Sequence, residues 1–258
     1  MKRILVLILL YNFAKLSHSQ PSGKSESELI YNSYSGNRNI TETSFDRLSS
    51  DQGLSNNNIK SINQDKDGFI WIATENGLNR FDGSNFKNYY HADNDSFSII
   101  YNKFDDIYKD NDDNLWMTTA NGELIKYDRE LDRFLNFKLL DNIYGKDWFT
   151  SVSEDSKGNL LLGSSTGLHL FNKKNGTSTF MLGRKNLNGN MNPYGITYLM
   201  RSRNKNLWIG TAFFGLFILD TNNNIIKHYS HDSADKSTLR NNRIRSIFND
   251  SKNKSRIK

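Results

Sequence analysis

From residue 59 onward the chain alternates between short apolar stretches and tight polar clusters, and no stretch keeps the spacing of an amphipathic helix. Ile59-Lys60-Ser61-Ile62 alternates with the two-residue period of a strand, and Asp65-Lys66-Asp67-Gly68 follows as a turn cluster. Phe69 to Thr74 is a nearly continuous apolar run, as expected of a strand covered on both faces. Asn76-Gly77 turns the chain into Leu78 to Phe81, and Asp82-Gly83 leads into Phe86 to Tyr90. The pattern predicts four short strands in one unit.

The unit recurs. Ile59 to Asp82, Asp106 to Asp128, Ser151 to Asn172 and Thr197 to Asp220 align with one another. Ile62, Ile107, Val152, Leu199 and Ile247 hold one column, at spacings of 45, 45, 47 and 48. Trp71, Trp116, Leu161 and Trp208 hold a second, and Gly77, Gly122, Gly167 and Gly215 a third. Three columns advancing together establish an internal repeat. Four strands per repeat of this length predict an all-β chain, a β-propeller with four complete four-stranded blades and a partial fifth, the ring incomplete. The blades are expected at about 54–91, 99–138, 147–182 and 194–231, with the partial unit at 239–258. Trp71, Trp116 and Trp208 lie mid-strand, where a large ring packs between neighbouring blades.

Ahead of the repeats the chemistry differs. Lys2 and Arg3 precede the unbroken apolar run Ile4 to Leu10, and Ser17-His18-Ser19 is a small-x-small cleavage site before Gln20. Residues 1–19 are therefore read as a cleaved signal peptide that exports the chain to the periplasm. The apolar run is too short to span a bilayer, so no membrane span is expected. Residues 20–44, rich in Ser, Asn and Gly, are read as a flexible leader, and Phe45-Asp46-Arg47-Leu48 as an outer strand displaced to the N-terminus.

Composition narrows the function. Of 258 residues, 34 are Lys or Arg and 28 Asp or Glu, giving +6. Lys2, Arg3 and Lys15 leave with the signal, and the remaining +3 is too mild to imply nucleic acid. Arg240, Arg243, Arg245, Lys252, Lys254, Arg256 and Lys258 make the C-terminus basic, which in an exported chain reads as a solvated end. The absence of cysteine excludes a disulfide framework, a thiolate zinc site, a thiol nucleophile and a lipoprotein anchor. A mean hydropathy of −0.69 excludes a multi-span membrane protein.

The recurring pattern D-x-D-G-x-I/L-W-I-G/A-T-x-x-G-L-x-R-F-D resembles the two-component regulator propeller repeat. Gly53-Leu54-Ser55-Asn56-Asn57-Asn58-Ile59 and Leu239-Arg240-Asn241-Asn242-Arg243-Ile244-Arg245-Ser246-Ile247 resemble its blade-opening motif. The resemblance covers about residues 45–254. Leu161 replaces Trp in the third unit and Ser202 replaces the turn Asp in the fourth. The resemblance implies a periplasmic sensor region of a hybrid sensor histidine kinase, often one that detects glycans. It also implies roughly seven blades per ring, so the chain is expected to be an N-terminal fragment, truncated before the transmembrane and kinase parts.

Other motifs point to chemistry less directly. Gly163-Ser164-Ser165-Thr166-Gly167 matches G-x-S-x-G, but that nucleophile elbow needs a strand-to-helix turn, and here it falls between two strands. Asp65-Lys66-Asp67-Gly68 and Asp110 to Asn114 resemble half a calcium loop, yet Asn76 stands where the closing acid of the first should be. Turn chemistry accounts for both: Asp accepts local N–H bonds and Gly takes a positive φ. His91 and His231 follow Tyr89 and Tyr229 at equivalent positions and read as repeat elements, and His228 with His231 lacks a third ligand. No metal, cofactor or catalytic residue is expected.

The ligand-binding candidates are aromatic. In a propeller the turns between second and third strands share one face with the inter-blade connections. Tyr101, Trp148, Phe149, Tyr194, Phe213 and Phe214 fall there, where their rings could stack on sugar C–H faces with nearby Asn and Asp bonding hydroxyls, or else pack between blades. The expected function is a non-catalytic sensing module that binds an oligosaccharide and acts on the remaining receptor domains or a homodimer partner. The alternatives are an extracytoplasmic propeller lyase or glycosidase, which would need convergent acids and bases, and a protein-binding scaffold.

Overall fold

The computed structural model describes residues 47–139, 148–182, 184–185, 191–192, 195–249 and 255–257. The expected signal, the leader, Phe45 and Asp46 lie outside the described residues. Arg47 and Leu48 form no strand: they are exposed and irregular, and Ser49 caps a short 3-10 turn at Ser50–Gln52.

Four meanders carry the repeats. The first comprises β1 (Ile59–Gln64), β2 (Ile70–Thr74), β3 (Leu78–Phe81) and β4 (Phe86–Tyr89). The second comprises β5 (Phe104–Lys109), β6 (Leu115–Thr119), β7 (Glu123–Asp128) and β8 (Arg133–Lys138). β9 (Phe149–Glu154), β10 (Leu160–Ser164), β11 (Leu168–Asn172) and β12 (Thr177–Leu182) form the third. A two-stranded ribbon, β13 (Arg184–Lys185) with β14 (Met191–Asn192), precedes the fourth: β15 (Ile196–Arg201), β16 (Leu207–Thr211), β17 (Leu216–Leu219) and β18 (Ile225–Tyr229). β19 (Ile247–Asn249) pairs with β20 (Ser255–Ile257) to open a fifth unit. Each four-stranded sheet is antiparallel with its strands in chain order, and the sheets do not close into a ring. The described residues are nearly all-β, and none of their helices is long and apolar enough to cross a membrane.

The period-2 alternation sets how blades stack, because alternate residues of a strand face opposite neighbours. Trp71, Ala73 and Leu78 point from blade one onto Phe104, Ile107, Leu115, Met117 and Ile125 of blade two. Trp116 and Leu124 do the same toward Phe149, Val152, Leu160 and Phe171 of blade three. Leu161 and Leu168 meet Ile196, Leu199, Leu207 and Ile209 of blade four. Each blade thus has a trailing face for the next blade and a leading face for the preceding one. Trp71 and Trp116 are fully buried as expected, while Trp208, against the smaller fifth unit, is partly exposed.

The small residue after the Trp-bearing segment has a steric cause. A Cβ on Gly163 would lie 2.5 Å from Ile196 Cγ2, and one on Gly210 would lie 2.7 Å from Ile244 Cγ2. The next blade's inner strand approaches that closely.

Candidate functional site

Each inner strand carries a β-bulge at one repeat position, skipping Lys60, Asp105, Thr150 and Thr197 in the ladders. A bulge frees a side chain from the strand's alternation, and the freed groups reach across blades. Thr150 Oγ1 donates to the Ile196 carbonyl (2.6 Å), and Thr197 Oγ1 to the Ile244 carbonyl (2.5 Å). Lys60 Nζ instead lies 2.7 Å from Glu75 Oε1, with Lys103 at 3.9 Å, and the Lys60 hydrogen bond holds the Glu75 carboxyl below its ordinary range. Asp105 Oδ2 has no hydrogen-bond partner, and burial pushes its pKa up against the pull of Lys60 and Lys103.

Next to the bulge, side chains bridge three blades. Asp106 Oδ1 accepts from Ser61 Oγ (2.9 Å) and its Oδ2 from the Val152 N–H (3.0 Å). Ser151 Oγ accepts from the Leu199 N–H (3.0 Å). Enclosure between blades pushes the Asp106 pKa from an ordinary 3.8 up to about 6, opposed by those donors.

The face bearing the β2–β3-type turns is knit by main-chain bonds between turns and inter-blade connections. The Glu75 N–H donates to the Asn58 carbonyl (3.1 Å), Gly77 to Asn102 (2.7 Å) and Ala120 to Lys103 (3.1 Å). On blades three and four a continuous relay runs from Ser165 N–H to the Trp148 carbonyl (3.2 Å), from Gly195 to Ser165 (3.0 Å), and from Ala212 to Gly195 (2.8 Å). The relay sets Trp148 and the Ala212-Phe213 turn along one rim. Phe213 is 69% exposed and Trp148 43%. Tyr101, 39% exposed, borders Asn102 on the same face at blades one and two. The rim is aromatic on one side and charged, with Lys60, Glu75 and Lys103, on the other.

The other aromatic candidates separate from these. Phe149 is wholly buried with Trp116, Leu160 and Phe171, because it opens an inner strand and points inward, so it offers no ring face to a ligand. Phe214 packs on the core shared by blades three and four. Tyr194 lies outside the described residues. Trp208 leads Gly215 by seven positions where Trp71 leads Gly77 by six, and the longer turn carries Phe213 outward.

The opposite face holds groups that sequence reasoning did not connect. Asp65 accepts from the Asp67 and Phe69 N–H groups (3.0 Å each), as turn chemistry requires, and also from the indole N–H of Trp71 (2.7 Å). Asp110 holds the Trp116 indole likewise (2.8 Å). Where Leu161 replaces Trp, the second oxygen of Asp155 takes Asn159 Nδ2 (3.0 Å) instead. The following blade contributes a cation: Arg129 Nε lies 2.7 Å from Asp67, and Lys173 Nζ donates to Asp110 (2.8 Å), Asp112 (3.1 Å) and Glu154 (2.8 Å). Burial lowers the Lys173 pKa, but those carboxylates hold it above its ordinary value. Asp110, Asp112 and Glu154 converge as a divalent cation's ligands would, with the Lys173 ammonium among them. A signal existed in the sequence: both Asp–Trp pairs are six residues apart, and Arg129 and Lys173 follow the last residue of equivalent strands.

The serine motif and histidines read as structure. Ser164 Oγ donates to the Gly167 carbonyl (3.0 Å), as Thr74 and Thr211 do to Gly77 and Gly215 in the same turn (2.8 and 2.9 Å). His91 and His231 each donate a backbone N–H to an Asn Oδ1 (2.7 and 2.6 Å) and set Nδ1 against a carbonyl eight residues on (2.9 and 2.6 Å).

Four-stranded meanders stacked face to face, inner strands together, define a β-propeller class of protein. Residues 53–76 match the family model for the two component regulator propeller, and the other units repeat its columns. Over residues 53–76 the chain is thus similar to a two-component regulator propeller repeat. A 63-residue stretch is 43% identical to histidine kinase P4 of Formosa agariphila, covering 24% of this chain and 4% of that protein. Among solved structures, the extracellular domain of a putative hybrid two component system from B. thetaiotaomicron superposes with a TM-score of 0.64 at 20% identity, over 78% of this chain and 26% of that one. Virginiamycin B lyase from Staphylococcus aureus superposes with a TM-score of 0.53 at 10% identity, over 78% of this chain and 62% of that one.

Proposed function

We propose that this chain is the ligand-sensing propeller module of an exported two-component receptor, and that its ligand is an oligosaccharide held at the rim of Trp148, Phe213 and Tyr101. The observation that carries the reading is the main-chain relay that sets Trp148, 43% exposed, and the turn bearing Phe213, 69% exposed, on one rim. Exposed aromatic rings on a backbone fixed by hydrogen bonds stack on sugar C–H faces at low entropic cost, and charged groups near them bond hydroxyls. The repeat shared with a histidine kinase and the fold shared with a two-component extracellular domain support sensing. The basic, apolar and small-residue order of residues 1–19 supports export to the periplasm. In this reading the chain performs no chemistry: ligand binding shifts blade contacts, and other receptor domains pass the change to a kinase.

A glycan array probed with the purified chain, with each hit then incubated and assayed for new reducing ends, tests the reading. The expected result is binding with no new ends. New reducing ends would make the chain a propeller glycosidase or lyase. An array without hits would favour a protein-binding scaffold.

A further inference from the structure

The four inner strands start alike, and that likeness sets a standard for how one blade is tied to the next. Just ahead of each strand a carbonyl takes an N–H from the blade's own turn: Glu75 to Asn58, Ala120 to Lys103, Ser165 to Trp148 and Ala212 to Gly195. The residue that follows, Ile59, Phe104, Phe149 or Ile196, then pairs with Thr74, Thr119, Ser164 or Thr211 of the same sheet. In that setting the Ile196 carbonyl meets blade three, where Thr150 Oγ1 donates to it, and the corresponding Ile244 carbonyl takes Thr197 Oγ1 of blade four. The same setting turns the Phe149 carbonyl toward blade two, where the bulge residue in the donor position is Asp105.

A threonine hydroxyl donates as it stands, whereas a carboxylate only accepts and needs a proton before it can donate. Asp105 shows that lack: its Oδ2 is enclosed and has no hydrogen-bond partner, a condition that is costly for a charged group. The charged groups acting on it are Lys60 on β1, Glu75 in the β2–β3 turn, Lys103 ahead of β5 and Asp106 beside it. Burial outweighs the two lysines and raises the Asp105 pKa above its ordinary 3.8.

We propose that Asp105 is a proton-controlled tie between blades two and three: carrying a proton from solvent, its carboxyl donates an O–H to the Phe149 carbonyl as Thr150 and Thr197 donate to theirs, and on losing that proton it releases the bond. Two acceptors then face each other and the joint loosens. A carboxyl whose folded pKa is raised contributes stability that is full below its unfolded value and is lost as pH rises through the folded one, so acid tightens this joint. The joints made by Thr150 and Thr197 carry hydroxyls and do not respond. Phe149 follows Trp148, so the tie sits at the root of the aromatic rim, and it does not depend on what that rim binds.

Phe149-Thr150 is the one Phe-Thr step in the sequence, so the full chain labelled with carbonyl-13C phenylalanine and 15N threonine gives a single amide correlation that reports the Phe149 carbonyl. The expected result between pH 4 and 8 is a carbonyl shift that titrates with a midpoint above the ordinary carboxylate value of 3.8. In Asp105→Thr, which sets the column's hydroxyl there, and in Asp105→Asn, whose amide donates without titrating, the shift stays near the acid-side value at every pH. Asp106→Ser still titrates. Asp105→Thr melts about 2–4 °C above wild type at pH 8 and within about 1 °C of it at pH 4. A Phe149 carbonyl that does not titrate overturns the proposal. So does one that titrates unchanged in whichever Asp105 variant folds, or one whose titration is lost in Asp106→Ser alone, since the proton then sits elsewhere.

Discussion

Asp65 does two tasks with one carboxylate: one oxygen closes its turn and the other holds the Trp71 indole inside the blade interface. A buried indole N–H without a partner costs about 1–3 kcal/mol. Asp65→Ala is therefore expected to destabilise the chain by about 3 kcal/mol in denaturant melts, while Asp155→Ala, with Leu161 in place of Trp, costs about 1–2 kcal/mol less. Equal losses at the two sites would break the link between turn and indole. The turn was legible in the sequence because Asp and Gly announce it locally. The indole bond was not, although Asp65 with Trp71 and Asp110 with Trp116 keep one spacing. Phe149 teaches a similar lesson. It shares a column with Ile59, Phe104 and Ile196, and that periodicity marks it as core more firmly than its position beside Trp148 marks it as a ligand contact.

At the scale of the strand, the blades were legible because a period of two and a fixed repeat length leave one way to lay four short strands. The apolar joint between blades was legible at Trp71 and Trp116, but the polar bonds across it were not, since they run between residues about one repeat apart, as from Thr150 to Ile196, or further, as from Asp110 to Lys173. The approach of inner strands at Gly163 gives a direct check. Gly163→Ala sets a methyl 2.5 Å from Ile196 Cγ2 and is expected to cost about 1–3 kcal/mol by thermal or chemical unfolding. Ile196→Ala, which removes the opposing Cγ2 methyl, should cost less in the Gly163→Ala background than in the wild type, a coupling that two independent sites would not show. Strict additivity would place the strain elsewhere.

Across the whole molecule, Asp106 ties blades one, two and three through Ser61 and Val152, and its pKa of about 6 gives the array a pH dependence. A carboxyl whose folded pKa is raised contributes stability that is full below the unfolded value near 3.8 and is lost as pH rises through about 6. Asp106→Ser, the residue that Ser61 and Ser151 place in the same column, removes that group while keeping a hydroxyl. The stability of wild type relative to this variant is expected to rise as pH falls from about 7 to 4, and a difference flat across that window would remove Asp106 as its source. On the face proposed to bind ligand, sequence located the turns and connections but not the exposure of each ring, because that depends on the longer turn at Phe213 and on backbone bonds from Gly195. The most direct test of that face is calorimetric titration of an array-positive oligosaccharide into wild type, Trp148→Ala and Phe213→Ala. The expected result is an affinity at least about tenfold weaker in each variant, with the melting temperatures unchanged. Wild-type affinity in both variants would contradict a sugar site on this rim.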